Sequence, residues 1–144
     1  MPDTVHHAIR DALRRSRQRY THGRQALVEL LVTLGRPVTI PDLVEAGAQQ
    51  SQSSLYRNLS VLEQCGVVRR LPSTDESGRY ELAEELTEHH HHLVCTSCGR
   101  VDDVVLPSRV EASLDRAANT AGHEHGYALA SHRLELVGVC PTCR

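Results

Sequence analysis

The chain has 144 residues, enough for one ordinary domain or two small ones. It contains no Phe, no Trp, four Tyr and one Met, so its core must be built from Leu, Val and Ala, and we expect a metal ion or a partner chain to add stability. The net charge is −2, and no apolar run of about 18 residues or secretion-signal pattern occurs, which argues against a membrane-spanning or secreted protein and predicts a cytoplasmic one.

The charges are divided unevenly along the chain. Residues 1–72 carry ten Arg against six acidic residues, whereas residues 73–144 carry six Arg against twelve acidic residues. A basic half followed by an acidic, His-rich half indicates a module that faces nucleic acid joined to a module that faces cations. Every basic residue is Arg, a side chain suited to bidentate phosphate contacts.

Helical periodicity and capping residues predict four helices in the first half. They run from His6 to Arg19, from Thr21 to Gly35, from Thr39 to Gly47 and from Ser51 to Gly66. Two short strands follow at 67–71 and 79–82, around the turn-rich stretch 72–78. This order predicts a winged helix-turn-helix in which residues 51–64 form the recognition helix.

The second half is predicted to form a small α/β module. Residues 83–88 are acidic and have the composition of a solvated hinge. Beyond them the pattern predicts strands at His91–Cys95, Val101–Leu106 and Tyr127–Val139, and a helix at Val110–Ala121. The apolar face of this module is too small to stand alone, so we expect two copies to pair. The predicted fold is α+β, with a winged-helix domain at 1–82, a hinge at 83–88 and a dimerisation domain at 89–144.

Four cysteines form two Cys-x-x-Cys pairs, Cys95 with Cys98 and Cys140 with Cys143. A Cys-x-x-Cys turn spaces two thiolates for one metal ion, and two such turns complete a closed zinc site. In a reducing cytosol this favours a structural zinc ion over disulfides. The alternative is two unrelated redox or free-thiol pairs.

A run of four histidines, His89 to His92, stands just ahead of the first cysteine pair. Because side chains alternate across a strand, His89 and His91 point to one face and His90 and His92 to the other. The run can therefore serve two separate metal sites. The alternatives are a solvated polar edge or a tag remnant, although the run leads straight into a strand pattern. His132 also lies inside a strand pattern, where an imidazole needs a partner.

The predicted recognition helix carries polar residues in its first turns, where this motif enters the major groove. They are Gln52, Ser53, Ser54, Tyr56 and Arg57. Arg57 can hold a phosphate or a guanine edge, and Tyr56 can contact a thymine methyl group. The alternative places Tyr56 in the core and leaves Arg57 as an ordinary surface charge.

Taken together, these motifs make nearly the whole chain resemble the Fur family of metal-responsive transcriptional repressors, which includes ferric, zinc, manganese, nickel and peroxide sensors. The resemblance rests on Arg19-Tyr20-Thr21 with Arg24, on Ser54-Leu55-Tyr56-Arg57-Asn58-Leu59, on HHHHLVCTSC at His89–Cys98, on His132 and on Cys140-Pro-Thr-Cys143. It implies a homodimer that binds operator DNA when a corepressor metal closes the hinge. It also implies structural zinc on the four cysteines, a minor-groove contact by Arg19 and major-groove contacts by Tyr56 and Arg57.

Two further metal sites are implied by the same resemblance. The site in the dimerisation domain comprises His89, His91, Glu111 and His132, and the hinge site comprises Glu81, His90, His92 and Asp103. The chain departs from the family at the hinge, with Pro37 where the ferric type has a His, and Arg69 and Ala83 where actinobacterial zinc sensors have an Asp and a Cys. The sensing site then has no thiolate, and we favour zinc, with ferrous iron next, because imidazoles predominate.

Other functions predict different properties. A constitutive winged-helix protein with only structural zinc would bind DNA without any dependence on a labile metal. A metallohydrolase would need an open coordination position and a general base. Glu88 and Glu124 are the candidates for that base, but neither lies in a catalytic motif, so the chain is predicted not to be an enzyme.

Overall fold

The computed structural model describes residues 3–72 and 78–144. The chain separates into two compact units, Met1–Glu88 and His89–Arg144. The α+β class predicted from the sequence is confirmed, with four helices and a hairpin in the first unit and a three-stranded sheet with one helix in the second.

The first unit is a winged helix. Its elements are α1 (Asp3–Arg15), α2 (His22–Leu34), α3 (Ile40–Glu45), α4 (Gln52–Gln64), β1 (Val68–Leu71), β2 (Arg79–Leu82) and a short 3-10 helix (Glu84–Leu86). Strands β1 and β2 pair antiparallel, and Val38 adds a bridge to Tyr80 on β2. The predicted turn at 72–78 falls largely on residues 73–77, which lie outside the described part of the chain.

The predicted starts of α2, α3 and α4 are confirmed, whereas α1 begins at Asp3, three residues earlier than predicted, and the helix of the second unit begins at Ser108, two residues earlier. The Thr21 hydroxyl accepts a hydrogen bond from the Arg24 amide, and the Ser51 hydroxyl accepts one from the Ser54 amide at 3.2 Å. Thr39 and Asp42 form a reciprocal capping box. These side chains satisfy amides that the first turn of a helix leaves without partners, which fixes where α2, α3 and α4 begin.

The first helix ends earlier than predicted. The sequence pattern carried it to Arg19, but α1 stops at Arg15. Arg17 takes a left-handed conformation with φ 56°, and the Gln18 amide bonds back to the Leu13 carbonyl at 2.8 Å. This closing turn normally uses Gly, so an Arg in that place gives no sequence signal. Arg19 consequently lies in an exposed loop before α2.

The core of the first unit joins all four helices to the wing. Fully buried side chains include Ile9 and Leu13 of α1, Leu27 and Val28 of α2, Leu43 of α3, and Leu55, Leu59 and Leu62 of α4. The apolar stripe of α4 faces this core because its leucines recur at helical spacing. The opposite face of α4 is therefore turned to solvent.

The second unit consists of β3 (His91–Cys95), β4 (Val101–Val104), α5 (Ser108–Glu124) and β5 (Glu135–Gly138). The strand order is β4-β3-β5, with β3 antiparallel to β4 and parallel to β5. The parallel pairing requires a crossover, which α5 provides.

Two strand predictions in this unit were too long. The sequence predicted strands at Val101–Leu106 and Tyr127–Val139, but β4 ends at Val104 and β5 covers only Glu135–Gly138. The central strand β3 has five residues, and its register with β4 begins at the His91–Val104 pair. Residues beyond that register have no strand beside them in the described chain, so their alternating pattern does not produce a ladder.

The second unit buries little apolar surface. Among its described residues only Cys95 and Val101 are buried apolar side chains. Helix α5 and strand β5 contain no buried residue. Within residues 3–72 and 78–144, no helix combines the length and apolar character needed to cross a bilayer.

Candidate metal centres and nucleic-acid interface

The four cysteines meet at one end of the second unit's sheet. Cys95 ends β3, and Cys98 follows in a turn closed by the Gly99 amide, which donates to the Cys95 carbonyl at 3.0 Å. Cys140 and Cys143 come just after β5, and all four sulfur atoms lie within 4.8 Å of one another. The sulfurs of Cys98 and Cys140 are 3.8 Å apart, far beyond a disulfide bond, and all the cysteines are free. This cluster fits a structural zinc site.

Backbone amides stabilise the thiolate form of Cys95, which is the form that binds a metal ion. Hydrogen bonds from backbone amides, chiefly that of Cys140 at 3.3 Å, lower the pKa of Cys95 to about 6. Cys95 is therefore largely a thiolate at neutral pH, the form that binds zinc. Hydrogen bonding with Cys140 instead raises the pKa of Cys143 to about 12. A zinc ion would have to displace the Cys143 proton, so binding would release protons.

A second cluster connects α5 to strand β3, and it contains three histidines around one carboxylate. The Nε2 atoms of His91, His132 and His89 lie 2.7, 3.2 and 3.5 Å from the Glu111 carboxylate oxygens. All four ligand atoms fall within 4.8 Å of one another. Partial burial raises the pKa of Glu111, but the hydrogen bond and charge of His91, with smaller contributions from His89 and His132, bring the pKa below its usual value.

The donor set of this cluster fits a divalent metal ion. Three imidazoles and a carboxylate are the ligands that zinc and ferrous iron accept. The His91 ring is buried, and its Nδ1 has no hydrogen-bond partner among the described residues. The other nitrogen of the ring, Nε2, points at the centre of the cluster. An ion bound there would give Nδ1 no partner, so the donor set and not this atom supports the site.

Asp115 was not predicted from the sequence, yet it contacts this cluster. Its Oδ1 lies 3.0 Å from Nδ1 of His132, the ring nitrogen that does not face Glu111. A carboxylate in this position fixes the tautomer and orientation of a ligating histidine. The signal was present in the sequence, because Glu111 and Asp115 are four residues apart on one face of a predicted helix.

The other two histidines of the run face the opposite side of β3. Both His90 Nε2 and His92 Nε2 lie 3.8 Å from Asp103 Oδ1, and the two rings are 5.3 Å apart. His92 and Asp103 are directly paired across β3 and β4, which accounts for their proximity. The predicted division of the histidine run between two faces therefore matches the geometry of the strand.

Glu81 lies on β2 of the first unit and is buried there. Its Oε1 accepts hydrogen bonds from Nε of Arg69 at 3.0 Å and from a second guanidinium nitrogen. Arg69 and Glu81 are directly opposite each other across β1 and β2. Pro37 and Ala83, the other two departures from the family pattern, are also buried and carry no ligand atom.

The residues predicted to contact DNA are accessible. Tyr56 is 51% exposed, Arg57 and Arg19 are exposed, and Ser54 is half-buried. Tyr56 therefore does not belong to the core, contrary to the alternative considered from the sequence. The leucines of α4 point inward, so Tyr56 and Arg57 stand on its solvent side.

A polar network connects this helix to the loop that carries Arg19. Arg24 donates from Nε to Asn58 Oδ1 at 3.2 Å and from a terminal nitrogen to the Arg19 carbonyl at 2.5 Å. Asn58 donates to Gln50 Oε1 at 2.6 Å, and Gln50 in turn donates to the Gly23 carbonyl at 2.7 Å. The family motifs found in the sequence contain Arg24 and Asn58, but only the structure shows that their side chains form a hydrogen bond with each other.

Similar proteins include bacterial regulators of nearly the same length. A peroxide-responsive repressor of Staphylococcus saprophyticus is 29% identical, over 99% of this chain and 95% of its own. The peroxide operon regulator of Bacillus subtilis is 31% identical, over 95% of this chain and 94% of its own.

Solved structures show the same fold. The ferric uptake regulator of Helicobacter pylori superposes with a TM-score of 0.75 at 22% identity, covering 98% of this chain and 92% of that one. The ferric uptake regulator of Vibrio cholerae gives a TM-score of 0.70 at 23% identity, covering 90% and 98%.

A winged helix followed by a unit that gathers thiolate and imidazole ligands defines a metal-binding transcription regulator. The sequence model of the ferric uptake regulator family matches residues 15–137, and the chain belongs to that family. The resemblance found in the sequence is thereby confirmed. Its family is one of transcription regulators and not of enzymes.

Proposed function

We propose that the protein is a metal-dependent transcriptional repressor that senses a divalent cation and binds operator DNA as a homodimer in the cytoplasm. The observation that carries this proposal is the placement of the histidine run. It offers ligands on both faces of β3, immediately after the last residue of the winged-helix unit. Ligands at that place are suited to couple metal binding to the DNA-binding unit.

The proposed sensing site is the hinge set. His90, His92 and Asp103 supply three ligands from the second unit, and Glu81 is the proposed fourth, from the first unit. Ligands drawn from two units favour the arrangement in which they converge, so a bound cation would shift the population toward that arrangement. In that arrangement two recognition helices of a dimer would match successive major-groove half-sites.

The other two clusters have different proposed roles. Cys95, Cys98, Cys140 and Cys143 would hold zinc permanently, since an all-thiolate set leaves no open position. A second ion, which would fasten α5 to the sheet, would be held by His89, His91, Glu111 and His132. Both would stabilise a unit that buries only two apolar side chains among its described residues.

Four residues are proposed to contact DNA. Arg19 would reach the minor groove from its loop, and Ser54, Tyr56 and Arg57 would reach the major groove from α4. The exposure of Tyr56 and Arg57 on the side of α4 opposite the core, and of Arg19 in its loop, supports this proposal. The excess of Arg over acidic residues in residues 1–72 also supports it, because phosphate contacts supply much of the affinity.

We favour zinc as the sensed metal, with ferrous iron next, because imidazoles predominate in the hinge set. Two relatives described above are a peroxide-responsive repressor and a peroxide operon regulator, which makes a peroxide response the second candidate. A redox-active metal such as ferrous iron would suit that response, since zinc has no redox chemistry. To distinguish zinc sensing from a peroxide response, the protein is loaded with zinc or with ferrous iron and then treated with hydrogen peroxide. If the protein responds to peroxide, only the iron form loses DNA binding.

The homodimer is proposed from the apolar surface of the second unit. Large apolar side chains that are more than a third exposed there are Leu93, Val105, Val110, Tyr127, Leu129, Leu136, Val137 and Val139. A patch of this kind on a small unit marks an interface. A groove of about 220 Å³ lined by Leu93, Leu136 and Val137 lies within the same surface.

The proposal is tested by replacing His90 and His92 together with Ala. Operator binding should become independent of added metal and fall to the level of the chelated wild type. The matched control replaces His123 and His125, an exposed pair with the same spacing, and should leave metal-dependent binding intact. If the His90/His92 variant keeps wild-type metal dependence while remaining folded, the hinge set is not the sensing site.

A further inference from the structure

The family resemblance implies a metal ligand at the position of Arg69 in actinobacterial zinc sensors, and the structure shows what Arg69 contacts here. It lies on β1 directly opposite Glu81 on β2. Two nitrogens of its guanidinium group contact the same oxygen of Glu81, one of them at 3.0 Å, and a third nitrogen lies 3.9 Å from Glu84. The position of a ligand is thus occupied by a cation.

The Arg69–Glu81 pair is shielded from water. The Glu81 side chain is 6% exposed and that of Arg69 is 20% exposed. Charge-assisted hydrogen bonds are strong in such surroundings, and separating the pair would leave a buried charge uncompensated. The Glu81 carboxylate is therefore already neutralised by a group of the chain itself.

A divalent cation bound to Glu81 would encounter this guanidinium group. Either Glu81 turns away from Arg69 to ligate, or it keeps Arg69 beside the metal and the two cations repel each other. Both cases weaken metal binding, because the interaction of charges a few ångströms apart is large at a partly buried position.

We infer that Arg69 sets the metal affinity of the hinge set, by competing with the metal for Glu81. This inference rests on the proposed role of Glu81 as a ligand. Arg69 acts as an internal counterion that raises the metal concentration at which the repressor responds. The departures at Pro37 and Ala83 remove ligands, whereas the departure at Arg69 adds an opposing charge.

The experiment measures zinc binding to the full-length protein by competition with a chromophoric chelator. All variants carry His132→Ala, so that the labile ion reports on the hinge set. Replacing Arg69 with Met keeps the apolar stem and removes the charge. The dissociation constant for zinc should fall by at least about tenfold, because one unit charge about 4 Å from a divalent ion accounts for more than that factor even at a water-like dielectric.

The control is Arg70→Met. Arg70 is the next residue on β1, is exposed and lies over the Tyr80 ring, with 5.9 Å from its guanidinium carbon to the ring centroid. This variant loses the same charge from the same strand but none of the contacts to Glu81, and it should bind zinc as the parent does. Arg69→Gln serves as a second variant if Arg69→Met does not fold by circular dichroism.

Unchanged or weaker zinc binding in folded Arg69→Met would overturn the inference, because it would mean that the pair only fastens the hairpin or orients Glu81. The same titration on the His90→Ala/His92→Ala variant distinguishes this failure from that of the proposed function. Loss of the labile ion there supports the hinge set even if Arg69 has no effect. Retention of the labile ion there refutes the hinge set itself.

Discussion

At the scale of single residues, the cluster around Glu111 depends on the orientation of His132. This ring is bonded on both sides, with Nε2 facing Glu111 and Nδ1 facing Asp115 at 3.0 Å. A carboxylate at Nδ1 keeps a proton on that nitrogen and leaves Nε2 with a lone pair for a metal ion. Asp115 would therefore act through His132 on an ion bound at this cluster, although its own side chain is 62% exposed.

Replacing Asp115 with Ala should weaken zinc binding at this cluster by about 10- to 100-fold, the usual effect of losing a partner that orients a ligand. The measurement is a chelator competition in the His90→Ala/His92→Ala background, where the hinge set does not contribute. Glu124→Ala is the control, because Glu124 is an exposed carboxylate at the far end of α5. Equal affinities for the two variants would show that His132 needs no orienting partner.

At the scale of elements, the network of Arg24, Asn58 and Gln50 holds α4 against the loop before α2. It fixes the distance between the residue proposed for the minor groove and those proposed for the major groove. A rigid spacing matters because both contacts must form on the same duplex.

Asn58→Ala should reduce operator affinity by roughly tenfold, because Arg24 and Gln50 each lose a hydrogen-bond partner and the loop is released. A double-mutant cycle with Arg19→Ala gives the sharper readout. The cost of Arg19→Ala should shrink by about 1 kcal/mol in the Asn58→Ala background if Asn58 positions Arg19. Strictly additive effects, with both variants folded, would mean that the network only stabilises the unit.

The sequence predicted the elements where a local signal fixes them. Thr39, Ser51 and Gly35 marked helix ends correctly because capping chemistry acts within a few residues. The sequence prediction was wrong where the end of a helix or strand depends on residues far away in the chain or on an unusual backbone conformation. Arg17 adopts a conformation usual for Gly, and β5 is limited by the length of β3, which no pattern near Tyr127 records.

The candidate sites show the same division. Strand alternation alone separated His89 and His91 from His90 and His92, as the contacts to Glu111 and Asp103 bear out. The family resemblance, and not the strand pattern, named the carboxylates that would ligate together with these histidines, because those carboxylates lie on other elements. The guanidinium contact of Arg69 with Glu81 required the register of the hairpin, which sequence spacing across residues 72–78 did not define.

At the scale of the whole molecule, the two units differ in how they are stabilised. The first has a continuous apolar core, whereas the second leaves most of its large apolar side chains accessible. Metal ligation and pairing with a second copy would compensate for the thin core of that unit.

Val137→Asp should convert the dimer largely to monomer. The substitution occurs twice in a two-fold interface, so losing about 1.5 kcal/mol per valine weakens association by roughly a hundredfold, before the cost of burying a charge. Analytical ultracentrifugation measures the change. Val44→Asp is the matched control, because Val44 is 51% exposed but belongs to α3 of the first unit. Dissociation by both variants, or by neither, would place the interface elsewhere.

The most direct test of the whole account is an operator-binding titration paired with metal analysis of the same sample, before and after mild chelation. We expect operator affinity to fall by about a hundredfold or more while about one zinc ion per chain stays on the four cysteines, and added metal to restore the affinity. Operator affinity that is unchanged after every labile ion has been removed would contradict it, and would identify a constitutive DNA-binding protein whose zinc is only structural.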